Sequence, residues 1–178
     1  IAFDICPVNI VINHYVSKID LEYDDRGKIA SKGNVHEGLL NQLNQLKFYQ
    51  QSAPKSLGLE WVKLYIFPAI DMFELKIEDI LRTFTEHIAT QIALVLKDKQ
   101  SSTLITGGGA YNYFLIEQLK IKTKSKIIIP DNQIIEFKEA LVFGLLGILR
   151  DRNEVNCLKS VTGAIRDHSS GKILFYNP

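Results

Sequence analysis

The chain has 178 residues, enough for one domain with a real core or two small ones. Its 46% apolar and 23% charged residues are the balance of a soluble globular protein, and a formal net charge of +1 leaves no basic excess for nucleic acid or for a polybasic membrane anchor. The longest apolar run, "ALVFGLLGIL", is too short to span a bilayer, and no signal peptide is visible. Cys6 and Cys157 fit neither a metal spacing nor a disulfide framework, which predicts a cytoplasmic protein. His14, His36, His87 and His168 are scattered, so no metal site is expected. The opening "IAFDICPVN" lacks an initiator methionine and reads as a strand end, as in a piece of a longer polypeptide.

In chain order, a strand ending at Phe3 leads to Pro7, well suited to a first helical turn, and to a helix through "VNIVINHYVSKI". "DLEYDDRGKIASKGN" is polar loop, and "VHEGLLNQLNQLKFY" is helical, with Leu39, Leu43 and Leu46 on one face. "QQSAPKSLG" is a second loop, and in "LEWVKLYIFPAI" Pro68 is expected to limit any helix. The clearest helix is "KIEDILRTFTEHIATQIALVLKD", with Ile77, Ile80, Leu81, Phe84, Ile88, Ile92 and Val95 at three- and four-residue steps. Strand "STLIT", a glycine loop, helix "YNYFLIEQLK", strand "KIIIP" and helix "IIEFKEALVFGLLGILRD" follow. Lys122, Lys124 and Lys126 are expected to be solvated at a strand edge. "VNCLKSVTGAI" is irregular, and "KILFY" is an edge strand or a tail. Alternating strands and helices predict an α/β layer with parallel strands, and two long helices covering one sheet face.

Four stretches can carry chemistry. Gly107, Gly108 and Gly109 lie between strand and helix, where the backbone can approach a nucleotide; "GGGAYN" matches neither a P-loop nor Gly-x-Gly-x-x-Gly, and a tight structural turn explains it as well. Asp4 stands before a helix start, either as a helix cap or as an ionised general base. Lys55 and Ser56 are framed by Pro54 and Gly58 in a rigid loop that turn chemistry also explains. Glu139, beside Glu136 and Lys138, interrupts the apolar face of the last long helix or belongs to its solvated side.

Taken in order, "FDICPVNIVIN", "YDDRGKIASKGNVHEGLL", "APKSLGLEWV", "LITGGGAYNYFLIEQL", "EALVFGLLGIL" and "SVTGA" resemble the blocks of the anhydro-N-acetylmuramic acid kinases over nearly the whole chain. The resemblance implies an α/β, ribonuclease-H-like (actin-like ATPase) domain with a mixed sheet packed by helices. Residues 1–178 would be its C-terminal part, with the N-terminal phosphate-binding domain outside this sequence. It further implies use of ATP and Mg²⁺, and a sugar whose 1,6-anhydro ring is opened by water and phosphorylated on O6. Asp4 matches the general base, Gly107, Gly108, Gly109 and Asn112 the nucleotide side, and Glu139 and Asn9 the sugar side. No nucleic acid or membrane partner is implied, and a homodimer is left open. The chain departs from the pattern at Ile5, Cys6, Val8 and Leu57, where the family has Thr, Gly, Gly and Thr. A non-catalytic nucleotide- or sugar-binding module, or a kinase of the same fold with another substrate, are the competing readings.

Overall fold

The computed structural model describes residues 2–96 and 102–174. Over these the chain is mixed α/β, mostly helical with a small parallel sheet. Helix α1 (Asn9–Val16) continues into a 3₁₀ turn (Ser17–Ile19). Helix α2 (Glu37–Asn44) starts where His36 Nδ1 accepts the Leu39 N–H at 3.1 Å. A break at Gln45–Leu46 then splits the expected single helix, and α3 is Lys47–Gln50. Residues 2–8, where a strand end was expected, form no strand.

Pro68 does not stop its helix. Helix α4 (Leu59–Trp61) runs through a π-helical turn (Val62–Ile66) into α5 (Phe67–Asp71), with Pro68 in the first turn of the last segment. The wider turn accommodates the ring and missing N–H that a regular helical turn excludes.

Helix α6 (Ile77–Val95) is the central element, packed by α1, α2, the 3₁₀ turn at Ala30–Lys32 and the later helix α7 (Tyr113–Lys122). Glu78 and Asp79 face the positive end of its dipole, and Ile80, Leu81, Phe84 and Ile88 form its buried stripe. Lys97 and Asp98, expected in the same helix, lie outside the described residues. Strand β1 (Ser102–Leu104), helix α7 (Tyr113–Lys122) and strand β2 (Lys126–Ile128) make a parallel crossover unit, with Thr103 opposite Ile127. Lys122 is exposed, as expected, but it ends α7 rather than lying on a strand edge. It pairs with Glu86, whose carboxylate also takes Arg82 at 2.8 Å, tying α7 to α6. Burial raises the Glu86 carboxyl, but the bonds and charges of Lys122 and Arg82 outweigh it and hold it below its ordinary value.

Helix α8 (Asn132–Asp151) is capped by Asp131, which accepts the Ile134 N–H at 2.9 Å. Of its 20 residues only Ile135 is buried, while Leu141 is 75% and Phe143 70% exposed. It therefore does not cover a sheet face as expected: a 20-residue helix runs about 30 Å, and a three-residue strand only about 10 Å. Helix α9 (Lys159–Thr162) and a Cys157–His168 bridge are the last elements among the described residues; residues 171–174 form no strand, and the rest of "KILFY" lies outside the described residues. Among the described residues no helix is long and apolar enough to cross a membrane.

Two features of the core generate tests. An alanine Cβ at Gly33 would stand 2.0 Å from the Glu78 carbonyl oxygen and 2.8 Å from the Asp79 nitrogen, both main-chain atoms of α6. Gly33→Ala is therefore expected to cost about 3 kcal/mol in urea unfolding, and an unchanged midpoint would contradict this packing. Buried His87 places Nδ1 2.7 Å from the Asn44 Oδ1, which also accepts from Gln91, while its Nε2 has no partner. Burial pushes the imidazole down to about 3 from 6.5. The unfolded chain takes the proton first, so this contribution is complete above pH 6.5 and is lost as pH falls toward 3. Between pH 7 and pH 5 stability should drop by about 2 kcal/mol. His87→Gln should flatten that slope, and a variant with the original slope would exclude His87 as its source.

Candidate functional site

The three glycines do different work. Gly107 has φ +78°, a left-handed value that favours glycine, and turns the chain out of β1. A Cβ on Gly108 would lie 3.3 Å from the Asn9 Nδ2 on α1. Around Gly109 there is open space. The 3₁₀ turn Gly108–Tyr111 then feeds α7, which Asn112 caps by accepting the Leu115 N–H at 3.0 Å. The structural-turn reading thus accounts for Gly107 and for the Asn112 side-chain oxygen, but it gives no reason for Gly109.

The loop stands between two hollows. One, of about 590 Å³, is lined by Asn9, Asn13, Asp24, Arg26, Gly108 and Asn112, with Asp25 and Tyr111 among the remaining walls. The other, of about 260 Å³, lies against Gly107, Gly108, Tyr111, Glu136, Lys138 and Glu139. The expected site residues Asn9, Gly108 and Asn112 therefore meet in the first, and Gly107, Gly108 and Glu139 in the second. Four side-chain amides, of Asn9, Asn13, Asn112 and Asn132, give the first hollow donors and acceptors suited to hydroxyl groups or a base edge. At its rim Lys28, 2.6 Å from Asp25, and to a lesser degree Arg26 hold the Asp25 carboxyl below its usual range, against some desolvation. Tyr111 donates to the Glu136 carboxylate at 3.1 Å across the second hollow. Glu139 is exposed. Among the described residues no group of three or more His, Cys, Asp or Glu is gathered to hold a metal.

Asp4 lines neither hollow and caps no helix. The N-cap of α1 is Val8, with no side-chain cap bond. The Asp4 carboxylate instead accepts the Ser56 hydroxyl at 3.0 Å and the Leu57 N–H at 2.8 Å, while its own N–H donates to the Lys55 carbonyl at 2.9 Å. Four residues, among them the buried Pro7, separate it from Asn9.

Several wall residues escaped sequence reasoning. Asn13 sits one helical turn beyond Asn9, a spacing that would have shown both on one face. Asp24 is buried and accepts the Ile29 and Ala30 N–H groups at 2.8 and 3.0 Å. Gly27 (φ +76°) follows, and a Cβ there would stand 2.4 Å from the Asn112 Oδ1 and 2.6 Å from the Phe114 Cβ. The polar loop is thereby pressed against the start of α7. Gly107→Ala and Gly27→Ala should each lower the melting temperature, whereas Gly109→Ala, with open space and no positive φ, should leave it within about 2 °C. A fall at Gly109 equal to that at Gly107 would contradict this division.

The chain matches the family model described as anhydro-N-acetylmuramic acid kinase over residues 1–176. It is similar to proteins named anhydro-N-acetylmuramic acid kinase from Crocosphaera subtropica (31% identical, covering 97% of this chain and 49% of the relative) and Francisella tularensis subsp. novicida (31%, 98% and 49%). One from Vibrio cholerae is 30% identical, covering 98% of this chain and 50% of that protein. The chain thus spans about half the length of the curated relatives it matches. With its glycine loop, Asp4 loop and Glu139 helix all in the matched region, the chain belongs to the anhydro-N-acetylmuramic acid kinase family.

Proposed function

We propose that this chain supplies the general base, the glycine loop and the sugar contacts of an ATP-dependent kinase of 1,6-anhydro-N-acetylmuramic acid, acting in recycling of cell-wall sugar. The observation that carries this reading is the meeting of three distant blocks at one turn: Asn9 lines the first hollow, Glu139 the second, and the Gly107–Asn112 loop borders both. In this reading the crossover unit β1–α7–β2 belongs to a ribonuclease-H-like, actin-type domain, the C-terminal one of a pair that closes over ATP. The unpaired Cys6 and Cys157 support a cytoplasmic setting.

Asp4 takes a proton from water, whose oxygen bonds to the anomeric carbon as the bond from that carbon to the bridging oxygen breaks. The freed O6 attacks the γ-phosphorus of ATP, giving N-acetylmuramic acid 6-phosphate and ADP. Gly107, Gly108 and Gly109 let main chain approach the adenosine and phosphates, with Asn112 behind them, and Asn9 and Glu139 contact sugar hydroxyls. Mg²⁺ bound with ATP would offset charge on the transferred phosphoryl group. No residue of this chain is assigned to it.

The test is ADP release by the complete polypeptide that carries this sequence, given Mg-ATP and 1,6-anhydro-N-acetylmuramic acid. Release should depend on the sugar, and Asp4→Asn should reduce it about 10³-fold. Gly109→Ala should raise KM for ATP about tenfold at unchanged melting temperature. Sugar-independent or absent release from folded, ATP-binding protein would overturn the kinase reading in favour of a binding module. Release driven by another sugar would replace the substrate.

A further inference from the structure

We propose that Ser56 is a positioning residue for Asp4: with the Leu57 N–H it fixes one carboxylate oxygen, so that the other is presented to the reacting water. The inference rests on Asp4 being the base of the reaction proposed above.

The Ser56 hydroxyl and the Leu57 N–H converge on a single atom, Oδ2, at 3.0 and 2.8 Å. Among the described residues no donor reaches Oδ1. A carboxylate that takes a proton from water needs this asymmetry, because an oxygen already accepting two hydrogen bonds has little remaining lone-pair capacity. The backbone is fixed as well, by the bond from the Asp4 N–H to the Lys55 carbonyl. Lys55 is itself anchored. Its ammonium donates to the Phe48 carbonyl at 3.1 Å and lies 4.6 Å from the centre of the buried Phe48 ring. That anchoring ties the loop to the core and leaves Lys55 a structural tether.

A purely structural role for the Ser56 bond is a poor account. Asp4 and Ser56 are both exposed, and a solvent-accessible bond of this kind adds little to stability. What it does restrict is rotation of a carboxylate that would otherwise sample several rotamers, which is an orientation effect on rate. The geometry also explains Leu57, where the family pattern has threonine. The donor used there is the main-chain N–H, which any residue except proline supplies.

The experiment measures kcat, KM for both substrates and melting temperature of the complete polypeptide, for the unaltered protein and for Ser56→Ala, Ser56→Thr and Asp4→Asn. Ser56→Ala is expected to lower kcat about tenfold with both KM values and the melting temperature unchanged, consistent with loss of one hydrogen bond to a charged group. Ser56→Thr should restore most of that loss. If Asp4→Asn abolishes turnover while Ser56→Ala stays within about twofold, or if Ser56→Ala raises a KM at constant kcat, the positioning role is overturned and the base assignment stands. If Asp4→Asn retains turnover, the base assignment fails and the inference falls with it.

Discussion

The buried carboxylate of Asp24 is the constraint on which the candidate site depends. By accepting two successive main-chain N–H groups, from Ile29 and Ala30, it closes a polar segment that would otherwise have unpaired donors at the core boundary. The closed loop is pressed in two directions, at Gly27 against Asn112 and Phe114, and at Gly33 against the main chain of α6. These are contacts that even one methyl group would spoil. They fix where α7 begins relative to α6, and so where the glycine loop points. The same Asp24 forms part of the wall of the larger hollow, so the element that shapes the site also lines it.

The parts legible in the sequence are those governed by local rules. The apolar steps of α6, the strand–glycine–helix–strand succession and the left-handed turn at Gly107 follow from periodicity and backbone freedom. What escaped depends on partners remote in the chain. Pro68 reads as a helix limit because the π-helical turn that accommodates it is not encoded in a propensity. Asp4 reads as a cap because a carboxylate next to a helix start usually is one; its partners lie more than fifty residues away. Lys122 is exposed as read, but its ion pair with Glu86, on another helix, shows in no local pattern. Periodicity identified α8 as a helix but could not tell that a sheet of two short strands offers so little for it to cover. The resemblance to a family, by contrast, ran through several spaced blocks at once, and the match over residues 1–176 follows the same span.

The site divides its labour between a rigid and an open side. Around Asn112 the packing is close, with the amide oxygen committed to the helix cap and abutting Gly27. Around Gly109 and Glu139 it is loose and exposed. A ligand entering this region meets fixed main chain on one flank and adaptable side chains on the other, an arrangement suited to holding one reactant firmly while a second comes and goes. Asp4, five residues before Asn9, is carried on a segment stiffened by Pro7, so the two share a frame although they line different surfaces.

Cys6 occupies that same segment. Desolvation pushes its thiol up to about 12, against a smaller opposing pull from the Lys55 charge. Since only the thiolate attacks alkylating reagents, Cys6 is chemically silent at neutral pH while the segment is seated. Any opening that wets it would restore its reactivity, so the rate of its modification would report how often the segment bearing Asp4 leaves its place. The departure from the family pattern beside the proposed base has thus built a clock for that motion into the chain.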